Sequence, residues 1–307
     1  MILSNAIGVF VFRDKNIVDK ILYKSGEERK QEQRLITQLT AKYPHARVNP
    51  SFIFPKYPEF FRRFYSVNFV DTKKDLQNSV KKDNMIIHCI NSIDELTKAI
   101  NLLVKRLREW YGLYFPELHA RVSNNEAFAR LVVQKDKELL MQELKVTESL
   151  GGKIAEEDLA IIKQFAEKIS LLVKQKEENE EYLHKLMDEY CPNLQAVANT
   201  LLAGQLIAHT GSLKKLAEYP SSTIQILGAE KAIFRHMKTK ASSPKHGLIV
   251  NHPLLASARA SEKGKIARNV AAALSKAARV DYFKGDKNIG KKLRDDLEVK
   301  FHRGREE

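Results

Sequence analysis

Residues 151–189 read GGKIAEEDLAIIKQFAEKISLLVKQKEENEEYLHKLMDE. After the diglycine, apolar side chains recur at spacings of three and four residues, which is typical of a helix that buries one stripe. The stripe is formed by Leu159, Ile162, Ala166, Ile169, Val173, Leu183 and Met187. It predicts a helix from Glu156 to about Glu189 with a coiled-coil seam, which Lys176 and Glu180 interrupt.

A second long helix is predicted before the diglycine. The segment Ser123-Asn124-Asn125-Glu126 matches a capping box, and the helix that it opens is expected to continue to about Leu150. An interrupted apolar stripe runs along it, formed by Phe128, Val132, Leu139 and Val146. Two such helices around Gly151-Gly152 predict an antiparallel hairpin over residues 119–190. The pattern is consistent both with pairing of two copies and with packing inside one chain.

Residues 1–118 are predicted to form a small α/β domain followed by a helix. Strands are predicted at Ala6–Phe12, Ile17–Tyr23, Val67–Val70 and Met85–Ile90. Helices are predicted at Glu27–Lys42, at Lys73–Lys82 and, from a capping box at Ser92, as far as Tyr114. None of these strands is followed by the glycine-rich loop that a bound phosphate or dinucleotide would need.

Residues 191–307 are predicted to be all-helical, because short apolar runs alternate with glycine and proline. The fold class is therefore α+β and mostly α, with a small N-terminal α/β domain, a long antiparallel coiled-coil hairpin and an all-α C-terminal domain. Most of the formal net charge of +14 lies in Lys214–Arg305, where 21 Lys and Arg face eight Asp and Glu. Such a concentrated block favours a polyanion-binding face, and the alternative is a merely basic surface.

The composition disfavours secreted and membrane proteins. No stretch reaches the roughly 20 apolar residues of a membrane-spanning helix. The N-terminus lacks the basic region and the small-residue cleavage site of a signal peptide. The two cysteines, Cys89 and Cys191, are too few for a disulfide framework and fit a reducing compartment. An intracellular protein is expected.

No catalytic motif is recognised in the sequence. It contains no P-loop, HExxH, GxSxG or CxxC, and its nine histidines lack the i, i+4 pairing of a helical metal site. His209 is predicted to be a hydrogen-bonded core residue, and Glu230 to complement a helix dipole. We expect no catalytic site, no metal and no cofactor. The opposing hypothesis, that the chain is itself a methyltransferase, would require a strand with a glycine-rich cofactor loop.

The run IQILGAEKAIFRHMK, residues 224–238, is both basic and apolar. If it is helical from Gly228, then Lys231, Arg235 and Lys238 share one face at i, i+4 and i+7. The small residues at its start leave N–H groups free to meet a phosphate. The following loop adds Lys240, Lys245 and His246, and an imidazole can stack on an unpaired base. The alternative is a solvated basic helix face.

Together with its surroundings, this run resembles the Nop domain. The resemblance rests on CPNL (191–194), LIAHTGSL (206–213), STIQILGAEKAIFR (222–235), PKHGLI (244–249), GKIAR (264–268) and AARVD (277–281), with REWYGLYFPEL (108–118) upstream. It covers nearly the whole chain and is strongest over residues 190–283. The sequence is therefore identified as a member of the Nop-domain family, similar to the archaeal core protein of the box C/D small ribonucleoprotein.

This resemblance implies a non-catalytic scaffold for RNA-guided ribose 2′-O-methylation of rRNA and tRNA. Residues 1–118 would bind fibrillarin, and S-adenosylmethionine would be held by that partner methyltransferase only. Residues 119–190 would pair two copies of the chain through Phe128, Val132, Leu139, Leu159, Ile162, Ile169, Val173 and Leu183. Residues 191–307 would bind box C/D guide RNA together with a small kink-turn-binding protein of the ribosomal-protein-like class.

The resemblance also implies which residues bind RNA. They are Gly228, Ala229, Glu230, Lys231, Arg235, Lys238, Lys240, Lys245, His246, Lys265, Arg268 and Arg279. The short chain without a lysine-rich tail resembles the archaeal form, for which a cytoplasmic location is expected. Two alternatives stay open: a general basic RNA-binding protein and a spliceosomal type of Nop-domain protein.

Overall fold

The computed structural model describes residues 1–14, 16–24, 26–49, 58–239 and 241–302. It divides into two compact units, Met1–Lys81 and Lys82–Glu307. Within the described residues the fold is mostly helical, with a small antiparallel sheet near the N-terminus, which confirms the predicted fold class. The finer division into 1–118, 119–190 and 191–307 stays a prediction.

The sheet of the first unit contains the antiparallel strands β1 (Ile2–Asn5), β2 (Gly8–Arg13) and β3 (Asn16–Leu22), in that order. The backbone N–H of Ile7 donates to Oδ1 of Asn5 (3.0 Å), which turns the chain from β1 into β2. Side chains alternate along β2, and those on both of its faces are buried. The sequence predicts β2 and β3 to within two residues at each end.

Helices cover both faces of this sheet. They are α1 (Gly26–Lys30), α2 (Glu32–Lys42) and α3 (Pro58–Ser79). Leu39 of α2 packs with Val9 and Val11, whereas Phe60 of α3 packs on Phe10, with 5.6 Å between the ring centroids. The strand predicted at Val67–Val70 is wrong, because these residues belong to α3. Phe60, Phe64 and Val67 recur at helical spacing and contact the sheet from one face of that helix.

Two long antiparallel helices, α4 (Lys82–Tyr111) and α8 (Glu156–Tyr190), organise the second unit. Lys82 of α4 forms an ion pair with Glu189 of α8 at one end. At the other end, the ring centroids of Trp110 and Phe165 are 6.3 Å apart. The strand predicted at Met85–Ile90 is therefore wrong, as is a helix start at Ser92, since both lie inside α4. The Ser92 hydroxyl accepts a hydrogen bond from Nδ2 of Asn179 on α8 (3.1 Å) and caps nothing.

The segment between these helices is broken into α5 (Pro116–Arg121), α6 (Asn125–Gln134) and α7 (Lys137–Glu143). A cap lies where the sequence predicts one, but Asn124 supplies it by accepting from the N–H of Ala127 (2.8 Å). The continuous helix predicted as far as Leu150 is wrong, because α6 ends at Gln134. The long antiparallel partner of α8 is consequently α4.

The apolar stripe of α8 is buried inside the single chain. Ile162, Ile169 and Val173 pack with α4 and with Phe128 and Val132 of α6. Leu183 lies in the C-terminal core, Leu159 is half-buried, and Leu139 is 51% exposed. Six of the eight side chains predicted to join two copies are thus buried within the single chain. Pairing of two copies through the hairpin over residues 119–190 stays a prediction.

The C-terminal part of the second unit is all-helical, as predicted. Its helices are α9 (Pro192–Ala198), α10 (Thr200–Thr210), α11 (Leu213–Glu218), α12 (Ser221–Ile226), α13 (Glu230–Thr239), a 3-10 helix (Leu248–Asn251), α14 (Pro253–Ala256), α15 (Lys263–Tyr282) and α16 (Ile289–His302). The alanine-rich α15 is buried along most of its length, because small side chains let neighbouring helices approach closely. Its Asp281 caps α9 by accepting from the N–H groups of Asn193 (3.1 Å) and Leu194 (2.7 Å).

Candidate nucleic-acid interface

The turn from α12 into α13 is held by Glu230. Its carboxylate accepts from the backbone N–H of Gly228 (2.9 Å) and lies 2.7 Å from Nε2 of His209. Desolvation raises the pKa of Glu230, but the N–H groups of Glu230 and Gly228 and the ring of His209 outweigh it and hold that pKa below its ordinary value. The ionised carboxylate thus lies in the first turn of α13, where it complements the helix dipole.

Two glycines bring this turn against the loop that follows α13. Gly228 has a φ of +84°, and a Cβ on it would lie 2.6 Å from Cγ of Leu248. A Cβ on Gly247 would lie 1.9 Å from the carbonyl oxygen of Leu227. The close approach is secured by hydrogen bonds from Gly247 N to Gln225 O (2.9 Å) and from Leu248 N to Leu227 O (2.7 Å). The turn before α13 is therefore held against Gly247 and Leu248, which follow that helix in the chain.

Side chains tie the same loop to its neighbours. Nε2 of Gln225 donates to the carbonyl oxygen of Lys245 (2.7 Å), and the ring of His236 contacts the carbonyl oxygen of Ala241. The stem of Lys245 runs towards Gly264 in the first turn of α15, where a Cβ would lie 3.9 Å from it. The loop consequently joins α13 to the start of α15.

The outer face of α13 is cationic. Lys231, Arg235 and Lys238 are exposed, and no carboxylate of the described residues lies within 4.0 Å of their charged groups. Phe234 and Met237 are 61% and 72% exposed on the same helix. Unpaired cations beside apolar side chains offer contacts to phosphates and to unstacked bases.

The start of α15 extends this surface, whereas its far end does not. Lys265 and Arg268 are exposed in the first turns of α15, beside the anchored loop. Arg279 lies eleven residues further on, which is about 16 Å along the helix. Its guanidinium donates to the carbonyl oxygens of Ala217 (3.0 Å) and Tyr219 (3.5 Å), at the end of α11. The structure therefore does not bring Arg279 together with the other predicted RNA-binding residues.

Ala229, Lys240 and His246 are the other residues that were predicted to bind RNA. Ala229 is half-buried at the start of α13, and His246 is half-buried in the loop. Lys240 lies outside the described residues. The surface that the structure assembles is thus formed by Gly228, Ala229, Glu230, Lys231, Arg235, Lys238, Lys245, His246, Lys265 and Arg268, which we call the α13 surface.

Two residues that position this surface were missed or misassigned from the sequence. His209 was expected in the core, but its side chain is 37% exposed and its hydrogen-bond partner is Glu230. Gln225 was not singled out, although it binds the loop through both its backbone and its side chain. No local sequence signal marks Gln225, because its partners lie about 20 residues further along the chain.

The described residues carry neither a membrane-spanning helix nor a metal cluster. None of their helices is long and apolar enough to cross a membrane. No three His, Cys, Asp or Glu side chains among them are grouped as a metal site requires. Both cysteines are free, and burial raises the pKa of the thiols of Cys89 and Cys191 above the ordinary value.

Comparison with known proteins identifies the family. The sequence model of the Nop family, described as a snoRNA binding domain, fibrillarin, matches residues 92–303, which include the whole α13 surface. The chain belongs to the Nop family. The match begins inside α4, so the first unit lies outside it.

Named relatives of this Nop-family chain come from archaea and eukaryotes. An uncharacterized NOP5 family protein of Methanocaldococcus jannaschii is 39% identical over 271 residues, which are 83% of this chain and 64% of the relative. Nucleolar protein 58 of Schizosaccharomyces pombe is 41% identical over 66% of this chain and 43% of its own length. Human nucleolar protein 56 is 37% identical over 73% of this chain and 41% of its own length. The chain thus spans between 41% and 64% of these relatives.

One solved structure aligns with nearly the whole Nop-family chain. It is the crystal structure of a fibrillarin/Nop5p complex, which covers 97% of this chain at a TM-score of 0.46 and 20% sequence identity. The alignment includes 99% of the matched chain.

Proposed function

We propose that this Nop-family chain is a non-catalytic scaffold of a box C/D ribonucleoprotein for RNA-guided 2′-O-methylation. In this role it binds guide RNA jointly with a small kink-turn-binding, ribosomal-protein-like protein and recruits fibrillarin, which holds S-adenosylmethionine. The proposal draws on the description of the matching family, which names snoRNA and fibrillarin.

The observation that carries the proposal is the α13 surface. Its three α13 cations lack carboxylate partners among the described residues, and the turn that presents them is fixed by Glu230 and two glycines. Cations carried on a backbone that is held in place can match the phosphate spacing of one RNA shape, because little backbone freedom is lost on binding. A flexible basic tail would bind any polyanion equally well.

A gel shift tests composite recognition. The chain is incubated with a box C/D kink-turn RNA at physiological salt, with and without the kink-turn-binding protein. We expect a shifted complex containing this chain only when both partners are present. Equal binding to kink-turn and straight duplex RNA without the partner would reduce the chain to a general basic RNA-binding protein. A preference for a spliceosomal RNA over box C/D RNA would indicate the spliceosomal type.

Charge reversal tests the α13 surface within the same assay. The double variant Lys231→Glu, Arg235→Glu should lose assembly on RNA while its circular dichroism spectrum stays native, because both side chains are exposed. The matched control, Lys276→Glu with Lys292→Glu, makes the same change in net charge at exposed positions of α15 and α16. Assembly of both variants at the level of the unchanged chain would reject the assignment of the α13 surface.

Calorimetry with S-adenosylmethionine separates a scaffold from a methyltransferase. A scaffold should give no binding heat alone and should show binding only after fibrillarin is added. Tight binding by the isolated chain would favour the methyltransferase hypothesis instead. The same sample, passed over immobilised fibrillarin, tests the proposed recruitment directly.

A further inference from the structure

The C-terminal end of α15 carries an exposed aromatic ring. Phe283 is 75% exposed, and its backbone N–H donates to the carbonyl oxygen of Arg279 (3.0 Å). The two residues therefore lie one turn apart on the same side of the helix. Phe283 is about 22 Å along α15 from Arg268, which places it away from the α13 surface. A single exposed apolar side chain needs no explanation, so the surroundings of the ring decide what it can bind.

The ring of Phe283 is presented from a turn that is held in place. Tyr282 packs edge-on against it, with 5.0 Å between the ring centroids and 72° between the ring planes. The turn from α15 into α16 is bound to Asn193 of α9, which is only 1% exposed. Nδ2 of Asn193 donates to the carbonyl oxygen of Asp286 (3.1 Å), and its Oδ1 accepts from the N–H of Gly290 (2.6 Å). The backbone around the exposed ring is thus fixed before any ligand binds.

Two cations lie next to this ring, Arg279 one turn before it and Lys284 directly after it. The guanidinium of Arg279 donates to the carbonyl oxygens of Ala217 (3.0 Å) and Tyr219 (3.5 Å), which fix its position without neutralising its charge. Lys284 is exposed. No carboxylate of the described residues lies within 4.0 Å of either charged group. Both positive charges are therefore free to meet an anion.

Lys284 occupies a backbone conformation that favours glycine. Its φ is +55°, and the N–H of Gly285 donates to the carbonyl oxygen of Val280 (2.8 Å), as in a Schellman motif that ends a helix. Glycine is the usual residue at this position, because a Cβ there costs stability. A lysine is thus placed beside Phe283 where the backbone alone would favour another residue.

The acidic side chains of the same turn are engaged by backbone N–H groups. Asp281 accepts from the N–H of Leu194 (2.7 Å), and Asp286 accepts from the N–H of Asn288 (2.9 Å). The turn therefore presents an aromatic ring together with uncompensated positive charge. Lysine is depleted at protein–protein interfaces, which disfavours a protein partner. Aromatic rings beside cations are typical of proteins that bind single-stranded nucleic acids, because the rings stack on bases while the cations contact phosphates.

We propose that Arg279, Phe283 and Lys284, which we call the α15 end surface, bind single-stranded RNA. One unpaired base stacks on the ring of Phe283, and the neighbouring phosphates contact Arg279 and Lys284. Every base has a π face, so the contact accepts any sequence. The inference goes beyond the proposed function, because it requires neither the kink-turn-binding protein nor fibrillarin. It also assigns a role to Arg279, which the structure separates from the α13 surface.

Fluorescence anisotropy with the full chain tests the stacking contact. The probe is a labelled, unstructured RNA of about ten nucleotides, and every protein carries Lys231→Gln and Arg235→Gln, which weaken the α13 surface. Phe283→Ala should weaken binding about tenfold, as expected for loss of one base–aromatic stack, whereas Phe283→Trp should keep the affinity within about twofold. The matched control, Tyr182→Ala, removes a ring that is 50% exposed on α8 and should change the affinity by less than about twofold.

Lys284→Gly separates binding from structure. The substitution removes the charge and relaxes the backbone, so the melting temperature should equal or exceed that of the parent protein. Affinity for the RNA should nevertheless fall about fivefold, and the slope of log affinity against log salt concentration should fall by about 0.7. A lysine with a structural role alone would change the melting temperature and leave both binding measurements unchanged.

The proposal is overturned if the RNA does not bind, if Phe283→Ala binds like Tyr182→Ala, or if a duplex of the same sequence depends equally on Phe283. It is likewise overturned if Phe283→Ala loses capture by fibrillarin or by the kink-turn-binding protein while RNA binding is unchanged, because the surface would then contact a protein. The probe contains no kink-turn, so failure of the composite gel shift leaves this result unaffected and the two proposals fail separately.

Discussion

Gly228 is constrained by its backbone and by its neighbour at the same time. Its φ of +84° disfavours any side chain, and Leu248 occupies the space that a Cβ would need. Gly228→Ala should therefore lower the free energy of unfolding by about 2–3 kcal/mol, near the upper end of the cost of such strain. Gly211 is a matched control, since its φ is +82° but nothing lies within 4 Å of an added Cβ.

Gly211→Ala should lower the free energy of unfolding by only about 1 kcal/mol. Urea denaturation of the two variants measures both values. Equal losses would show that Leu248 moves aside freely and that the close approach of the loop is not a constraint.

Glu230 predicts a dependence of stability on pH. The pKa of Glu230 in the folded chain lies below the ordinary 4.5. The ionised carboxylate therefore stabilises the fold above pH 4.5, and this stabilisation is lost as the pH falls through the folded pKa. The side chain is 48% exposed, so the contribution should stay below about 1 kcal/mol. Glu230→Gln should thus have a lower melting temperature than the unchanged chain at about pH 6, and the difference should shrink towards about pH 3. A difference that does not vary with pH would contradict this assignment.

At the residue scale, the sequence predicted the cations of the α13 surface better than the contacts that hold this surface in place. The cationic face followed from the spacing of Lys231, Arg235 and Lys238, because helical periodicity is a local property. Arg279 is also basic, yet its guanidinium binds the end of α11, a contact across about 60 residues that no spacing reveals. The partnership of His209 with Glu230 was hidden for the same reason.

At the scale of elements, α8 allows a test of where its apolar stripe faces. Ile169 is fully buried, whereas Leu171, two residues away on the same helix, is 59% exposed. Ile169→Ala should lower the free energy of unfolding by about 2–5 kcal/mol, and Leu171→Ala should change it by less than about 0.5 kcal/mol. Neither loss should depend on protein concentration, because the stripe packs within one chain.

Thermal unfolding at several protein concentrations checks this expectation. A concentration-dependent loss for Ile169→Ala would mean that the stripe contacts a second copy in solution. The molecular mass from light scattering reports pairing separately, and a dimer that survives Ile169→Ala would use exposed residues.

The elements that sequence reasoning assigned wrongly share one cause. Val67–Val70 and Met85–Ile90 are short β-rich runs, but each lies inside a helix of more than 20 residues. Strand propensity is a weak preference that packing can override. In α3, Phe60 and Phe64 lie at helical spacing and pack on the sheet, which favours the helix over a strand. The long α8 was predicted nearly to the residue, since 35 residues of consistent period leave little room for another structure.

At the scale of the whole molecule, the division at Lys81 predicts a separable functional part. Residues 82–307 contain the α13 surface and both cores of the second unit. The isolated fragment should unfold cooperatively and, if the proposed function holds, should bind kink-turn RNA together with the kink-turn-binding protein within about twofold of the full chain. The same fragment should lose binding to fibrillarin if residues of the first unit are required for it. An aggregated fragment, or one that no longer binds RNA, would contradict the division.

Salt dependence measures the contribution of the charged surface. Each phosphate contact contributes about 0.7–0.9 to the slope of log affinity against log salt concentration. Replacing Lys231 and Arg235 by Gln should therefore reduce the slope by about 1.5, and Lys276→Gln with Lys292→Gln should leave it unchanged. The sequence predicted the location of this charge because counting Lys and Arg against Asp and Glu along the chain places the excess in residues 214–305.

Helices α4 and α8 each belong to two apolar cores. Ile86 and Ile90 of α4, with Leu183 and Met187 of α8, lie in the C-terminal core, while further residues of both helices form the other core. At 1.5 Å per residue, α8 runs unbroken for about 52 Å. Bending between the cores would need a break in both helices at once. The second unit should therefore act mechanically as a stiff lever, so that rotation at the end that carries the α13 surface is transmitted as displacement at the opposite end of α4 and α8.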